Sequence, residues 1–305
     1  MGLPSLTASV VEAIIPDCQV VGAPLEGGQK TVFHCRVKET DCAVKFILLG
    51  ELKDDLDGSI QQKIDTIQAR AEREIRIMKK INCPSIVKMG YYDLTPVCLG
   101  DQHLLYYSEE WIDGENLFSI LQAEKKLSVT ETLNLCLDIT KGISELWNLS
   151  KVHRDIKPQN IMRRDSDKSY VLLDLGLAFD LEDKSLTQYG YVPGTKTYFS
   201  PEQLDIRHKR DIDFRSDLFS LGIVLYQSLT GVHPFYKYGM SDQDLFSCII
   251  GSKVVPPINM DNSIPPAVSG MICRLLSKQP SGRYRKCALL IDEVNTILDS
   301  LEDSL

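Results

Sequence analysis

The stretch VHRDIKPQNI, residues 152–161, places a histidine, two basic residues, an aspartate and an asparagine within eight positions. The apolar residues Val152, Ile156 and Ile161 flank these polar side chains. Such a pattern predicts a short buried scaffold with a polar edge. An acid, a base and a carboxamide at fixed offsets along that edge indicate a chemical role rather than a packing role.

The hydrophobic pattern of the chain changes along its length. Short β-branched or aromatic runs separated by turn residues predict strands between residues 17 and 48. Apolar residues then recur every three or four positions over 57–81, which predicts a helix. Two further strand-like runs follow at 85–92 and 103–112. The remainder reads as mostly helical, with helices predicted at 130–147, 214–230 and 266–300.

A strand-rich part with one helix thus precedes a helix-rich part, and no Gly/Ser-rich linker separates them. This order predicts an α+β fold with two lobes that share a short hinge, and a cleft between lobes is a natural ligand site. The predicted division is an N-terminal extension at 1–17, a first lobe at 18–112, a second lobe at 113–300 and an acidic tail at 301–305.

Composition excludes several classes of protein. The net charge of −8 argues against a general nucleic-acid binder, which needs a basic surface. The nine cysteines are scattered without a CxxC pair, which favours free thiols in a reducing compartment. No signal peptide and no apolar run long enough to cross a membrane is visible. We therefore expect a cytoplasmic protein that associates with neither nucleic acid nor membrane; its oligomeric state stays open.

The opening stretch resembles the H-R-D-x-K-P-x-N catalytic loop of the eukaryotic-like (Hanks-type) serine/threonine protein kinase family. Other segments resemble further motifs of this family and follow in the same order. They are CAVKF with Lys45, REIRIMKKI with Glu74, DLG at 174–176, GTKTYFSPEQ at 194–203, SDLFSLG at 216–222, GVHPF at 231–235 and PSGR at 280–283. The resemblance covers about residues 18–295. It implies a bilobal kinase fold, with a small β-rich N-lobe carrying one main helix and a larger, mostly helical C-lobe.

The resemblance assigns catalytic roles to four side chains. Lys45 would hold the α- and β-phosphates of ATP. Glu74 would bond to Lys45, and this pair would form only when the helix of Glu74 is docked. Asp155 would accept or orient the substrate hydroxyl, and Lys157 would stabilise the charge of the transferring phosphate. Glu72 lies two residues from Glu74 and is the alternative for that role. Such a reaction depends on positioning and charge neutralisation.

The resemblance also assigns residues for metal, nucleotide and structural support. Asn160 and Asp174 would supply the oxygen ligands that Mg²⁺ prefers. Besides Lys45, the residues expected around ATP are Leu25, Gly27, Gly28, Val32, Ala43, Glu110, Ile112 and Met162. Those expected to support the loop structurally are His153, Arg154, Thr195, Glu202, Asp217 and Arg283, with Arg283 paired to Glu202.

Two segments depart from the family pattern. The three glycines of the phosphate-covering loop fall at Leu25, Gly27 and Lys30, so only one of them is a glycine. Loss of the other two could weaken nucleotide binding, or Lys30 could compensate by its charge; an ordinary hairpin turn is the alternative. At the hinge, Glu109 takes the position that gates the pocket behind the adenine, where an acid is uncommon. A shift of the alignment by one residue would place a neighbour there instead.

Arg154, beside the catalytic aspartate, suggests regulation. In kinases with this arrangement the arginine often pairs with a phosphate on the activation loop. Thr187 is the first choice for autophosphorylation. The full set of candidate phosphosites is Ser185, Thr187, Tyr189 and Tyr191.

The sequence therefore predicts an ATP- and Mg²⁺-dependent kinase that phosphorylates serine or threonine in protein substrates and itself. One alternative is a pseudokinase that binds nucleotide as a scaffold, which the poor glycine loop favours. Another is a small-molecule phosphotransferase of the same fold, which Arg154 and the segment 194–202 argue against.

Overall fold

The computed structural model describes residues 6–26, 30–51, 59–100, 102–175, 179–180, 195–204 and 212–303. They form two compact units. The first takes the described residues up to 82 together with 87–112, and the second takes 83–86 and the described residues from 113 onward. The first unit is rich in strands and the second is mostly helical, which confirms the predicted fold class.

An antiparallel sheet forms the centre of the first unit. Its strands are β1 (Cys18–Val20), β2 (Leu25–Glu26), β3 (Lys30–Val37), β4 (Thr40–Glu51), β5 (Thr95–Leu99) and β6 (Gln102–Glu110). They lie in the order β1-β3-β4-β6-β5, and β2 also pairs with β3. The register places Lys45 opposite both Val32 and Tyr107. Because side chains alternate along a strand, these three residues share one face of the sheet.

The other face of this sheet is covered by the N-terminal segment. Helix α1 (Ala8–Ile14) follows Thr7, whose hydroxyl caps it by accepting the N–H of Val10. Val11 and Ile15 are fully buried and pack with residues of the sheet, including Phe33. Each such side chain stabilises the fold by roughly 1.5–3 kcal/mol through burial. The predicted N-terminal extension therefore supplies part of the core of the first unit.

Helix α2 (Ser59–Met78) confirms the helix predicted from apolar periodicity. The strand predicted at 85–92 is wrong, because only isolated bridges occur there, from Ile86 to Leu172 and from Met89 to Glu109. The strand of this region is β5, which carries Pro96. Proline is tolerated there because β5 is an edge strand and pairs only with β6 in the described sheet.

Helices dominate the second unit. Those described are α3 (Leu117–Glu124), α4 (Val129–Asn148), α5 (Pro201–Leu204), α6 (Phe214–Thr230), α7 (Asp242–Gly251), α8 (Pro266–Leu275) and α9 (Cys287–Glu302). The helix predicted at 266–300 is in fact two, because a 3₁₀ turn at Pro280–Gly282 separates α8 from α9. Among the described residues, no helix is both long and apolar enough to span a bilayer.

Short strands in the second unit carry the loop at 152–161. They are β7 (Gly114–Asn116), β8 (Lys151–Val152), β9 (Ile161–Arg164), β10 (Tyr170–Leu172) and β11 (Phe179–Asp180). Strand β9 pairs with β7 and β10, and β8 pairs with β11. The loop thus leaves one small sheet at Val152 and enters another at Ile161, so both of its ends are fixed.

Candidate active site

Asp217 fixes the backbone of the loop from beneath. Its two carboxylate oxygens accept the N–H groups of His153 and Arg154, each at 2.8 Å. Arg154 has a φ of 69°, a left-handed conformation that a non-glycine residue rarely adopts. The two hydrogen bonds to a buried carboxylate offset that strain and hold the turn that presents Asp155.

His153 has a structural role in this loop. The ring is fully buried, and its Nε2 lies 3.0 Å from the carbonyl oxygen of Leu173. Its Nδ1 accepts the N–H of Asp155 at 3.2 Å. These contacts fit a neutral imidazole with its proton on Nε2. The ring therefore connects the catalytic loop to the residue before Asp174.

Two neighbours hold the carboxylate of Asp155 by the same oxygen. Lys157 Nζ donates to Oδ2 at 2.8 Å, and Asn160 Nδ2 donates to Oδ2 at 2.9 Å. Asn160 also donates to the backbone oxygen of Asp155 at 2.9 Å. Within the described part of the chain, this leaves Oδ1 as the carboxylate oxygen able to accept a proton from an incoming hydroxyl.

Burial raises the pKa of Asp155 above its ordinary value. The charge and hydrogen bond of Lys157 act against this rise, and the nearby negative charge of Asp174 adds to it. A carboxylate with a raised pKa is a better proton acceptor while it stays ionised. The surroundings of Asp155 therefore suit a general base.

A backbone hydrogen bond connects Asn160 to the residue before Asp174. The N–H of Leu173 donates to the backbone oxygen of Asn160 at 2.8 Å, so the chain before Asp174 is bonded to the loop. Because the amide nitrogen of Asn160 is used on Asp155, its Oδ1 is the atom left for a cation. A carboxamide oxygen beside an aspartate is a donor set that fits Mg²⁺.

The predicted partners Glu202 and Arg283 form a buried ion pair. Arg283 donates to the two oxygens of Glu202 at 2.6 and 3.0 Å, and Ser216 donates to the same carboxylate at 2.6 Å. Burial opposes ionisation of Glu202, but these bonds outweigh it and lower the pKa of the carboxyl.

Gln203, which the sequence analysis did not single out, donates to the backbone oxygen of Arg154 at 3.0 Å. The segment after Ser200 is thereby tied to the catalytic loop.

The 3₁₀ turn Thr195–Tyr198 is held by a histidine of the GVHPF segment. His233 Nε2 lies 3.0 Å from the backbone oxygen of Thr197, and its Nδ1 accepts two backbone N–H groups. Burial lowers the pKa of His233 to about 4, so the ring stays neutral at physiological pH. Tyr198 donates to Gln227 at 2.6 Å. The backbone of this turn is thus fixed by polar contacts to His233, and the side chain of Tyr198 is held by Gln227.

In the first unit, Lys45 extends from β4 on the sheet face that also carries Val32 and Ala43. Glu74 is buried on α2, whereas Glu72 is exposed, so the helix turns Glu74 and not its alternative inward. Leu25 is 59% exposed and lies opposite Val32.

In the second unit, Met162 lies on β9, paired with Val171 and Asn116.

The predicted contact between Lys45 and Glu74 is replaced by two other ion pairs. Lys45 Nζ lies 2.6 Å from each carboxylate oxygen of Glu109. Glu74 instead accepts from Lys30, whose Nζ lies 3.1 and 2.9 Å from its two oxygens. The physical reason is charge balance, because the face holds two buried carboxylates and each takes its own lysine.

The structure shows which side chains of residues 108–110 face Lys45 and which face away. Glu109 pairs with Ala43 across β4 and β6 and points toward Lys45. Ser108 points the other way, and its Oγ accepts the N–H of Tyr92 at 2.6 Å. Glu110 bonds through its side chain to the N–H of Lys88, and Ile112 is buried. The acid of this segment that faces Lys45 is therefore Glu109, and its gating role stays a prediction.

Several predicted residues lie outside the described residues. They are Gly27 and Gly28 of the phosphate-covering loop, Gly176, and the phosphosite candidates Ser185, Thr187, Tyr189 and Tyr191; the side chain of Thr195 is also outside. The phosphosites stay predictions. Sequence reasoning missed three contacts because no motif encodes them. They are the pairing of Lys30 with Glu74, that of Glu109 with Lys45, and the bond from Gln203 to the catalytic loop.

The chain was compared with protein families and with curated proteins. The model of the protein kinase domain matches residues 22–293. A serine/threonine-protein kinase from Myxococcus xanthus is 30% identical over 270 residues, which is 85% of this chain and 46% of the relative. A probable serine/threonine-protein kinase from Streptomyces coelicolor is 30% identical over 275 residues, covering 90% of this chain and 38% of the relative. Another from Clostridium perfringens is 28% identical over 273 residues, covering 89% and 37%.

The chain spans less than half of the length of each of these relatives. The match nevertheless includes the catalytic loop, the Lys45 strand and the Glu202–Arg283 pair within one family model. The chain therefore belongs to the protein kinase domain family, and the relatives that it resembles carry the names of serine/threonine kinases.

Proposed function

We propose that this protein transfers the γ-phosphate of ATP to serine or threonine hydroxyls of protein substrates, with Mg²⁺ as the cofactor, and that it also phosphorylates itself. The observation that carries the proposal is the arrangement around Asp155, whose Oδ2 is held by Lys157 and Asn160. A scaffold that only binds nucleotide has no need of a carboxylate oriented in this way. The names of the relatives support the same reaction class.

The reaction is a displacement at phosphorus. The substrate hydroxyl oxygen forms a bond to the γ-phosphorus, the bond from that phosphorus to the β–γ bridging oxygen breaks, and ADP leaves. The hydroxyl proton passes to Oδ1 of Asp155. Lys157, at 2.8 Å from Asp155, supplies positive charge next to the transferring group. Because such transition states are stabilised mainly by charge and position, these contacts support the roles proposed for Asp155 and Lys157.

The cofactor fits the residues present. Asn160 offers its amide oxygen and Asp174 its carboxylate, both oxygen donors of the kind that Mg²⁺ takes. When bound, the ion would neutralise the negative charge of the triphosphate. The nucleotide contacts proposed for the first unit involve Lys45 for the phosphates, with Val32 and Ala43 against the adenine.

The test is transfer of label from γ-labelled ATP, with Mg²⁺ and a generic acceptor protein, followed by phosphoamino-acid analysis. We expect label on serine or threonine of the acceptor and of the protein itself, and loss of label with Asp155→Ala. Nucleotide binding without transfer would support a pseudokinase. Label on small metabolites alone would support a small-molecule phosphotransferase, and label on tyrosine would contradict the proposed specificity.

A further inference from the structure

Four charged side chains meet on one face of the sheet in the first unit. Glu74 and Glu109 are almost fully buried, with side chains 2% and 3% exposed. Lys45 is 10% exposed and Lys30 is 21% exposed. Tyr107, fully buried beneath them, accepts a hydrogen bond from Lys30 Nζ at 3.0 Å. The cluster as a whole carries no net charge.

The strand register explains why Lys45 pairs with Glu109 and Lys30 pairs with Glu74. Lys45 lies directly opposite Tyr107, and Glu109 is two residues further along β6, which is a diagonal neighbour on the same face. Lys30 lies on β3, two residues from Val32, on the opposite side of Lys45 from Glu109. Its ammonium is therefore placed between Tyr107 and Glu74.

Charge balance links Lys30 and Glu109, two of the positions at which this chain departs from the family pattern. A buried carboxylate without a cation is strongly unfavourable. The glutamate at position 109 binds Lys45, so the charge of Glu74 is balanced by a different lysine. That lysine is Lys30, which stands in place of the last loop glycine. Each unusual residue is thus explained by the other.

From this network we infer that Lys30 is the positioning residue that pairs with Glu74 and holds α2 against the sheet in the working enzyme. Glu109 is the counterion of Lys45, and the residues at 30 and 109 act as a matched pair. The inference deepens the proposed kinase function and rests on it for its catalytic consequence. The pairing itself is a property of the first unit and can be tested without phosphate transfer.

The experiment compares Lys30→Met, Lys30→Arg and the double variant Lys30→Met/Glu109→Met with the unmodified protein. Lys38→Met, which changes an exposed lysine in the turn after β3, is the matched control. Amide hydrogen exchange of α2 reports on helix docking, and kcat and KM for ATP report on transfer.

We expect Lys30→Met to speed exchange of the α2 amides and to lower kcat, each about tenfold, because a network partner is lost. Lys30→Arg keeps the cation and should stay near the unmodified protein. The double variant should recover to within about threefold, because Lys45, released from position 109, can then bond to Glu74.

The inference is overturned if Lys30→Met behaves like Lys38→Met, or if the double variant is worse than the single one. A merely structural lysine would give additive losses and no recovery. If exchange of α2 follows the expected order while even the unmodified protein transfers no phosphate, the proposed function fails and the pairing stands.

Discussion

The catalytic loop of the second unit and the charged face of the first unit are built in opposite ways. In the loop, particular atoms meet particular partners: Asp217 accepts the N–H groups of two defined residues, and His153 connects defined backbone atoms. On the sheet face, two lysines and two glutamates of similar reach share a small area, and the partners differ from those the family pattern implies.

This difference teaches where a single side chain can be replaced. The loop needs a given atom at a given place, so no neighbour can substitute for it. The sheet face needs only that each buried carboxylate meets a cation, and more than one arrangement achieves this. We therefore expect single changes in the loop to be severe and changes on the sheet face to depend on their partner.

The largest expected effect is from Asp155→Asn. The amide keeps the shape of the side chain but cannot accept the hydroxyl proton, so kcat should fall by about a thousandfold. Steady-state transfer assays measure this, and nucleotide binding is measured beside it. Asp165→Asn, an exposed aspartate of the same unit, is the control. A loss of less than about tenfold for Asp155→Asn would contradict the proposed role of this residue. It would also contradict the expectation that single changes in the loop are more severe than those on the sheet face.

The fold could be predicted to the extent that hydrophobic pattern and motif order determine it. Helix α2 follows from its apolar periodicity, and the strands β3 and β4 follow from β-branched runs. The segment 85–92 has the composition of a strand but lacks a neighbour to pair with along its length. Strand β5 was not predicted; it contains Pro96, which a sheet accepts at its edge.

The contacts of the catalytic loop could be predicted from the sequence better than the ion pairs of the sheet face. The loop residues follow from sequence because Asp155, Lys157 and Asn160 lie close together in one motif, and a local turn suffices to bring them into contact. Ion-pair partners on the sheet face depend on which long side chain reaches which carboxylate, and spacing does not determine that. Lys30 and Glu109 were visible as departures from the family pattern, but only the strand register connects them.

A second test removes a specific partner in the second unit. Arg283→Met leaves Glu202 buried without its cation, and the free energy of unfolding should fall by about 3–5 kcal/mol. Urea denaturation followed by circular dichroism measures it. Arg285→Met, two residues away and exposed, should change stability by less than about 0.5 kcal/mol. Equal effects of the two variants would show that the buried pair is not specific.

The third test uses pH. The pKa of His233 is lowered by burial to about 4, whereas an unfolded chain has a histidine near 6.5. The unfolded state therefore binds the extra proton as pH falls below 6.5, so this group makes the fold less stable in acid. The expected loss between pH 7 and pH 5 is roughly 2 kcal/mol.

His233→Gln should flatten that part of the pH dependence of unfolding. His103→Gln, in the first unit, controls for the loss of a histidine as such. If the slope between pH 5 and pH 7 is the same in the unmodified protein and in His233→Gln, the neutral ring at Thr197 is not what makes the second unit sensitive to acid.

The smallest effect tests the sheet face directly, through Glu109→Gln. This change takes the four-residue cluster from neutral to a net charge of +1 and frees Lys45 from a carboxylate at 2.6 Å. A triphosphate should then bind more tightly, because Lys45 no longer has to leave an anion in order to contact it. We expect KM for ATP to fall by about three- to tenfold. Glu39→Gln makes the same charge change in the exposed β3–β4 turn and is the control. An unchanged or higher KM would mean that Glu109 does not compete with the nucleotide for Lys45, and the two lysines would then have fixed roles, as the residues of the catalytic loop do.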